Sequence, residues 1–273
     1  MHGYRPSTYG DRFADVYDDW YEDVSDVDAT VDLVATLAAP LGGRVLELGA
    51  GSGRLAIPLA QRELEVWAVD ASAAMIDRLR GKPGGDRVEA IVDDMAALGA
   101  PELLAAAGEV GVGVRAEDEH EREPRRGFAV VLCAFNTLFN LTDTEAQRRC
   151  LARVAELLAP GGRLVVEAFV PPPGGEGEAA VSAVEPRHIG LDEVVLTVSR
   201  LDPASRTITG QHLQITEGGV RLRPWVLHYA SPEGLDGLAA EAGLRLVERH
   251  AGWRGEPFTP TSESHVSLYA RDE

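Results

Sequence analysis

The chain has 273 residues, which suits one large α/β domain with an addition, and a hydrophobic fraction of 45% is ample for a buried core. Its 44 acidic against 26 basic residues give a formal net charge of −18. That charge repels a phosphate backbone and an anionic bilayer, so nucleic acid and membrane are set aside as partners and a small molecule fits better. Cys133 and Cys150 are the two cysteines, and they imply neither a disulfide framework nor a metal cluster. The N-terminus carries no apolar signal segment and no run is long enough to cross a bilayer, so the expected location is cytoplasmic.

Residues 11–39 alternate acids and aromatics. Phe13, Tyr17, Trp20 and Tyr21 recur at near-helical spacing, which predicts an amphipathic helix packed on the domain. Val45, Leu46 and Leu48 then read as a buried strand over 44–49. The strand runs into a loop with Gly49, Gly51 and Gly53 at alternate positions, and a helix follows near 53–63. Pro58 removes a backbone hydrogen bond there, so a kink or a short first turn is expected. Glycines let backbone come close to a ligand. Gly51, Gly53 and Ala56 satisfy the spacing of a dinucleotide fingerprint, but Glu47 would repel the pyrophosphate that such a loop seats. The acid suits an ammonium group instead, and Arg54 just beyond the loop can meet a carboxylate. Together they fit the zwitterionic end of an amino acid. The alternatives are that Glu47 caps the loop's own N–H groups and that Arg54 is a solvated helix residue.

The second strand, 65–70, ends in Asp70. An acid there is placed to grip two ribose hydroxyls, each such bond contributing roughly 1.5–3 kcal/mol. The alternative role is a helix cap, which Ser72 can fill for the helix near 72–80. The third strand, 88–92, leads into Asp93, Asp94 and Met95. An acid followed by an apolar residue can accept a bond from an adenine amino group and pack on its ring. Residues 99–127 break the pattern with a small apolar run and a dense mixed-charge run, and they read as a partly mobile insertion. His120 there belongs to a solvated loop rather than a metal site.

Strands are expected at 128–135 and 162–169, with a helix at 143–158 between them. Thr142 and Glu145 form a capping-box pattern at its start, and Pro160, Gly161 and Gly162 end it. Such alternation means a parallel sheet with helices on both faces. Ligands then sit at the carboxyl ends of the strands, where Asp70, Asp94 and Asn136 fall. After the breaker cluster at 171–178 the period changes. Residues 192–201, 205–216 and 220–230 read as three strands of an antiparallel meander, followed by a helix over 231–243 and final strands at 244–253 and 265–272.

The runs VLELGAGSGR, VDASAAMID, VDDM and LLAPGGRLVVEAF together resemble the class I S-adenosylmethionine-dependent methyltransferases. The resemblance covers 44–98 and 128–170 well and 231–272 more loosely. It implies an α/β fold with a doubly wound, mostly parallel seven-stranded sheet. Residues 1–40 would be a helical lid, 41–178 and 231–273 the cofactor-binding body, and 179–230 an antiparallel β insertion roofing the substrate. The implied cofactor is S-adenosylmethionine. Glu47 and the Gly49–Gly53 loop would lie beside its methionine moiety with Arg54, Asp70 on its ribose, and Asp94 and Met95 on its adenine. Tyr17, Tyr21, Ala71, Met75 and Ala134 would complete that site, and Asn136 would line the methyl-transfer side.

Within the family the closest likeness is to sugar N-methyltransferases and related natural-product enzymes. The acceptor atom would be a nitrogen or oxygen of a small molecule. His228, ending a roof strand, is the chosen candidate base ahead of His188, His212, His265 and the tyrosines of the first helix. The other use of such a sheet is a homodimer contact through an exposed edge strand. Two further classes stand beside this reading: an NAD-dependent oxidoreductase, which Glu47 argues against, and a protein that binds S-adenosylmethionine without turnover.

Overall fold

The computed structural model describes residues 1–21, 24–99, 103, 105, 127–172 and 179–272. The expected insertion at 99–127 therefore lies almost wholly outside the described residues. Strands β1 (Arg44–Leu48), β2 (Glu65–Asp70), β3 (Val88–Val92), β4 (Phe128–Cys133) and β5 (Leu158–Phe169) pair in parallel. β10 (Leu244–His250) and β11 (Ser264–Arg271) close one side in antiparallel fashion. The seven-stranded order is β10-β11-β5-β4-β1-β2-β3. Chain order reverses between β1 and β4, and that switch point leaves a crevice at the carboxyl ends.

Both faces of this sheet are buried. On β1, Val45 turns to the helices α3 (Val27–Ala38), α4 (Ala56–Gln61) and α5 (Ala73–Gly81), while Leu46 and Leu48 turn to α6 (Thr144–Leu157) and α7 (Pro232–Glu241). Near-continuous apolar strands such as Phe128–Cys133, buried at every position, are what two covered faces demand.

Several local expectations are corrected. The N-terminal stretch is not one amphipathic helix. It breaks into α1 (Thr8–Phe13), α2 (Tyr17–Trp20) and α3, the last capped by the Asp26 carboxylate accepting from Ala29 N–H. Its acids do not share a solvated face: Asp11, Asp15 and Asp18 each pair with a different partner, which short helices can satisfy and one straight helix cannot. Of the two outcomes expected at Pro58, a kink or a short first turn, the kink is absent: α4 starts at Ala56, not near 53, and puts Pro58 in its first turn, where the N–H has no intrahelical partner. α6 is capped by Asp143, which accepts from Ala146 N–H at 2.8 Å, in place of the Thr142–Glu145 box. The capping residue sits one position later because α6 begins at Thr144.

The meander has four strands rather than three: β6 (Val181–Ile189), β7 (Glu193–Asp202), β8 (Thr207–Thr216) and β9 (Gly219–His228), in that spatial order and antiparallel throughout. β6 was hidden by its composition. Its prolyl and charged residues, and the register shift at Pro186/His188, erase the period-two signal. Among the described residues no helix is long and apolar enough to cross a membrane.

Candidate active site

A cavity of about 400 Å³ lies at the carboxyl ends of the central strands, beneath the N-terminal helices and the four-stranded sheet. This is within the range of small-molecule sites. Gly49, Gly51, Asp70, Ala71, Met75, Asp94, Met95 and Asn136 line it from the body, and Tyr17 and Tyr21 from the lid. Ten of the fifteen residues singled out in the sequence are thus brought together. Glu47, Gly53, Arg54, Ala134 and His228 are not among the lining residues.

Two glycines shape the near wall. Gly49 has φ +62°, and a Cβ there would stand 2.3 Å from Thr137 Cγ2; Gly51 has φ +56° beside the Tyr17 ring. At Gly49 a side chain would be strained in φ and would clash with Thr137; at Gly51 only the φ disfavours one, since a Cβ would make ordinary contact with Tyr17 at 3.6 Å. Asp70 holds the same loop. Its Oδ2 accepts from Gly51 N–H at 2.9 Å and its Oδ1 from Ser72 N–H at 2.8 Å, while Ser72 caps α5 through Met75 N–H. Burial raises the Asp70 pKa against the lowering effect of those N–H groups. Asp94 likewise turns its carboxylate on backbone, accepting from Ala96 N–H at 2.9 Å.

Glu47 lies behind the loop, 5% exposed. Burial is the chief cause that pushes its carboxyl up to about 8, against the Arg54 charge and a hydrogen bond from Ala56 N–H, which lower it. Its Oε2 is buried without a partner. One oxygen therefore accepts from the first residue of α4, not from the loop's own N–H groups as the alternative reading had it, and the other is left over. A polar atom so placed is costly unless something charged or hydrogen-bonding completes it. Arg54 donates to Ser25 Oγ and lies 5.6 Å from the Phe135 ring centroid, so it is neither in the cavity nor a freely solvated helix residue. Gly53 packs against Leu79 and Ile57, and Ala134 is buried at the end of β4.

Past β4, Phe135 and Asn136 both take positive φ, 49° and 61°. Such backbone costs on the order of 1–3 kcal/mol per residue and persists only when its surroundings enforce it. Glu167 on β5 enforces it. Its Oε2 accepts from Phe135 N–H at 2.7 Å, its carbonyl accepts from Asn136 N–H at 3.0 Å, and its Oε1 accepts from Trp253 Nε1 at 2.8 Å. Asn136 Oδ1 in turn accepts from Phe169 N–H at 2.6 Å, which leaves its amide N–H groups as the donors it can offer. Glu167 was not singled out in the sequence. The signal was present, an acid inside the apolar run LVVEAF, the same signal that marked Glu47.

The four-stranded sheet supplies His212, Trp225 and Leu227; Trp225 is the register partner of Gly210, two residues before His212 on β8. A Cβ on Gly210 would stand 2.2 Å from the indole, so glycine lets that ring lie flat on β8. The indole N–H is buried without a partner. His212 shares a 2.9 Å hydrogen bond with Thr197 and packs edge-on against Phe13 and Trp20. Burial, with Arg187 and Arg223 nearby, pushes it down to about 4. Burial also lifts Tyr17 to about 12. His228 ends β9 but turns away to Thr144, with a 2.9 Å hydrogen bond, and its pKa is lowered chiefly by burial. His265 is buried against Ser267 on β11, and His188 is exposed on β6.

The N-terminal segment of α1 and α2 is tied down on both sides. Arg223, its side chain 1% exposed, donates to both oxygens of Asp15 at 2.6 and 3.0 Å and lies over the Trp20 ring. On the body side Asp18 meets Lys82 at 2.7 Å and Arg78 at 2.9 Å, and Asp11 accepts from Ser72 Oγ at 2.6 Å.

Residues 25–249 match a family model described as a methyltransferase domain. Over its whole length the chain is similar in structure to the CcbJ methyltransferase of Streptomyces caelestis, at 35% identity and a TM-score of 0.77, covering 99% of this chain and 100% of that one. A cypemycin N-terminal methyltransferase of a Streptomyces species is 26% identical over 97% of this chain and 98% of its own length. CalS10, an amino pentose methyltransferase of Micromonospora echinaspora whose structure has S-adenosylmethionine bound, shares the fold at 22% identity and a TM-score of 0.60, over 94% and 97% of the two chains. Other curated relatives align over only part of their length, the chain covering between 1% and 35% of them. With a family model spanning most of its residues, the chain belongs to the methyltransferase-domain family.

Proposed function

We propose that the chain transfers a methyl group from S-adenosylmethionine to a nitrogen of a small molecule. The observation that carries this reading is the single cavity with two unlike halves. One half is glycine loop, Asp70, Asp94 and Met95; the other is Asn136 under an aromatic roof. The first half fits the cofactor. Glu47 offers an unpartnered buried oxygen behind the loop, suited to an ammonium group, Asp70 faces the ribose position, and Asp94 with Met95 the adenine position.

Bound S-adenosylmethionine supplies a methyl group already activated by sulfonium. The chain's own contribution is alignment, which is an entropic one. Asn136, locked by Glu167 and Phe169, presents its amide where β4 ends. Tyr17 and Tyr21, stacked at 4.8 Å, close the cavity from water. Trp225 offers its unpartnered N–H to an oxygen on the acceptor.

Nitrogen is favoured over oxygen by what faces the cavity. His212 is neutral near pH 7 and too weak a base for a hydroxyl, and Tyr17 does not ionise there. An amine needs no such base, because a neutral fraction always exists and carries its own lone pair. His228 is assigned a positioning role, tying the end of β9 to α6 through Thr144. The division into lid, body and roof follows the same logic: body for cofactor, roof for acceptor. That one relative is named an N-terminal methyltransferase and another an amino pentose methyltransferase supports this substrate class.

The test is turnover with S-adenosylmethionine against a panel of a short peptide with a free N-terminus, an amino sugar, and their hydroxyl analogues. Methylated amine over many turnovers is expected. Methylated hydroxyl analogues alone would contradict the nitrogen assignment. Binding of S-adenosylmethionine without product from any of them would favour the non-catalytic alternative.

A further inference from the structure

Phe135 and Asn136 line the cavity, yet the residues that fix them, Glu167 and Trp253, do not. Two consecutive left-handed residues with no glycine between them are uncommon backbone, and such strain clusters where a site needs one set geometry. Glu167 meets both N–H groups of that turn, Phe135 with its Oε2 and Asn136 with its carbonyl. A carboxylate held at one oxygen can still rotate and let the turn relax. Trp253 holds the second oxygen, its indole N–H donating to Oε1 at 2.8 Å. Trp253 belongs to the loop between β10 and β11, and that loop is itself braced. The indole packs in the core against α3. Ala251 N–H donates to the Glu256 carbonyl at 2.8 Å, and the Arg254 guanidinium donates at 2.8 Å to Asp26, which caps α3. Core packing asks for the Trp253 ring and not for its N–H. At the far end of these contacts stands the Asn136 amide, whose Oδ1 is taken by Phe169 N–H on the same strand as Glu167. The Phe135 ring, set by the same turn, meets Tyr21 edge-on at 6.0 Å.

We propose that Trp253 is a positioning residue for methyl transfer. Through the Glu167 carboxylate it holds the Phe135–Asn136 turn, and with it the Asn136 amide, at the setting that aligns the acceptor nitrogen with the methyl group. This rests on the reading of the cavity as the methyl-transfer site. Alignment is the chain's own contribution there, and a displacement of ~1 Å costs roughly 100-fold in rate. The effect falls on turnover rather than on cofactor affinity. Asp70 and Asp94 hold their own backbone partners, and neither touches Glu167 or Trp253.

The experiment compares Trp253→Phe, Glu167→Gln and the double variant in the full chain, by steady-state turnover of the methylated amine, calorimetric S-adenosylmethionine binding and amide hydrogen exchange. Trp253→Phe keeps a ring in the core and removes the N–H. It should lower kcat about 10-fold, as loss of one hydrogen bond to a charged group does. Glu167→Gln should lower kcat about 100-fold. Acceptor KM and the S-adenosylmethionine dissociation constant should stay within about 3-fold, the pattern of an interaction lost at the transition state. In Glu167→Gln the new amide N–H must face either the indole N–H or the Phe135 N–H. Adding Trp253→Phe removes the first conflict, so the double variant should regain about 10-fold in kcat over Glu167→Gln alone. Packing damage would instead multiply the two losses. Exchange of the Phe135 and Asn136 amides should rise at least about 10-fold in Trp253→Phe. That readout needs no turnover: a chain that methylates no amine would end the functional reading, and exchange would still decide whether Trp253 holds the turn. If Trp253→Phe misfolds, Glu167→Gln carries the same readouts. Unchanged exchange or unchanged kcat in a folded variant would overturn the proposal. So would losses confined to KM or S-adenosylmethionine affinity, or a double variant whose losses multiply.

Discussion

Glu47 is where the chemistry of the site can be read at a single residue. Its folded pKa of about 8 lies far above the ordinary 4.5. The stability that its bound proton represents is full below about pH 4.5 and is lost as pH rises through about 8. The melting temperature of the ligand-free chain should therefore fall over that window, and Glu47→Gln should flatten the fall. A thermal series from pH 5 to 9 on both proteins checks this; parallel curves would contradict it. An ammonium group beside the carboxylate reverses the effect of burial, so S-adenosylmethionine should bind with release of up to about one proton near pH 7. Titrations in buffers of different ionisation enthalpy read that number. At Asp70, replacement by Ala removes both loop anchors and the ribose partner and should weaken S-adenosylmethionine binding roughly 10-fold or more. The acceptor side makes a different demand. With His212 held near 4, turnover should rise with pH toward the acceptor amine's own pKa, with no inflection near 6.5. An inflection below the ordinary histidine range that disappears in a folded His228→Ala variant would restore His228 as the base.

At the scale of elements, the lid is held by ion pairs rather than by a large core. α1 and α2 are short, and their carboxylates reach the roof through Asp15 and the body through Asp18. Arg223 lowers the Asp15 pKa, so this clasp is complete above the ordinary carboxylate range and loosens as pH falls below it. Asp15→Asn leaves the Arg223 guanidinium buried with a weaker partner, which should cost more than the ~1 kcal/mol of a surface pair. Hydrogen exchange across residues 8–20 should rise, and S-adenosylmethionine should dissociate about 10-fold faster. Unchanged exchange in that stretch would mean that the stacked aromatics Tyr9, Phe13, Tyr17 and Tyr21 hold the lid without the clasp. The helix behind the cavity makes a simpler case. Asp143→Ala removes the α6 cap and should cost about 1 kcal/mol in denaturant unfolding.

Across the whole molecule, the parallel half was legible because each βαβ unit announces itself. Strand ends at Leu48, Asp70 and Val92 fall where apolar runs meet glycine or acid. Residues placed on backbone loops at those ends, Gly49, Asp70 and Asp94, therefore came to the cavity as read. What was not legible depends on contacts between distant segments. Glu167 is tied to Phe135 and Trp253, residues 32 and 86 positions away; its place inside an apolar run marks it as a buried acid but does not say which groups it holds. His212 and His228 lie on adjacent strands of one sheet, yet only His212 faces the cavity. Strand parity decides that, and parity needed the true register of β8 and β9. The N-terminal acids looked like a solvated face because their partners lie far along the chain, Ser72 and Lys82 61 and 64 residues on and Arg223 208 residues on.

The central claim is that this cavity is built for S-adenosylmethionine. Calorimetric titration of the chain with S-adenosylmethionine, and in parallel with NAD, tests it most directly. The account predicts one S-adenosylmethionine per chain, weakened by Asp70→Ala, and no heat from NAD. No heat with S-adenosylmethionine alongside saturable binding of NAD would contradict it.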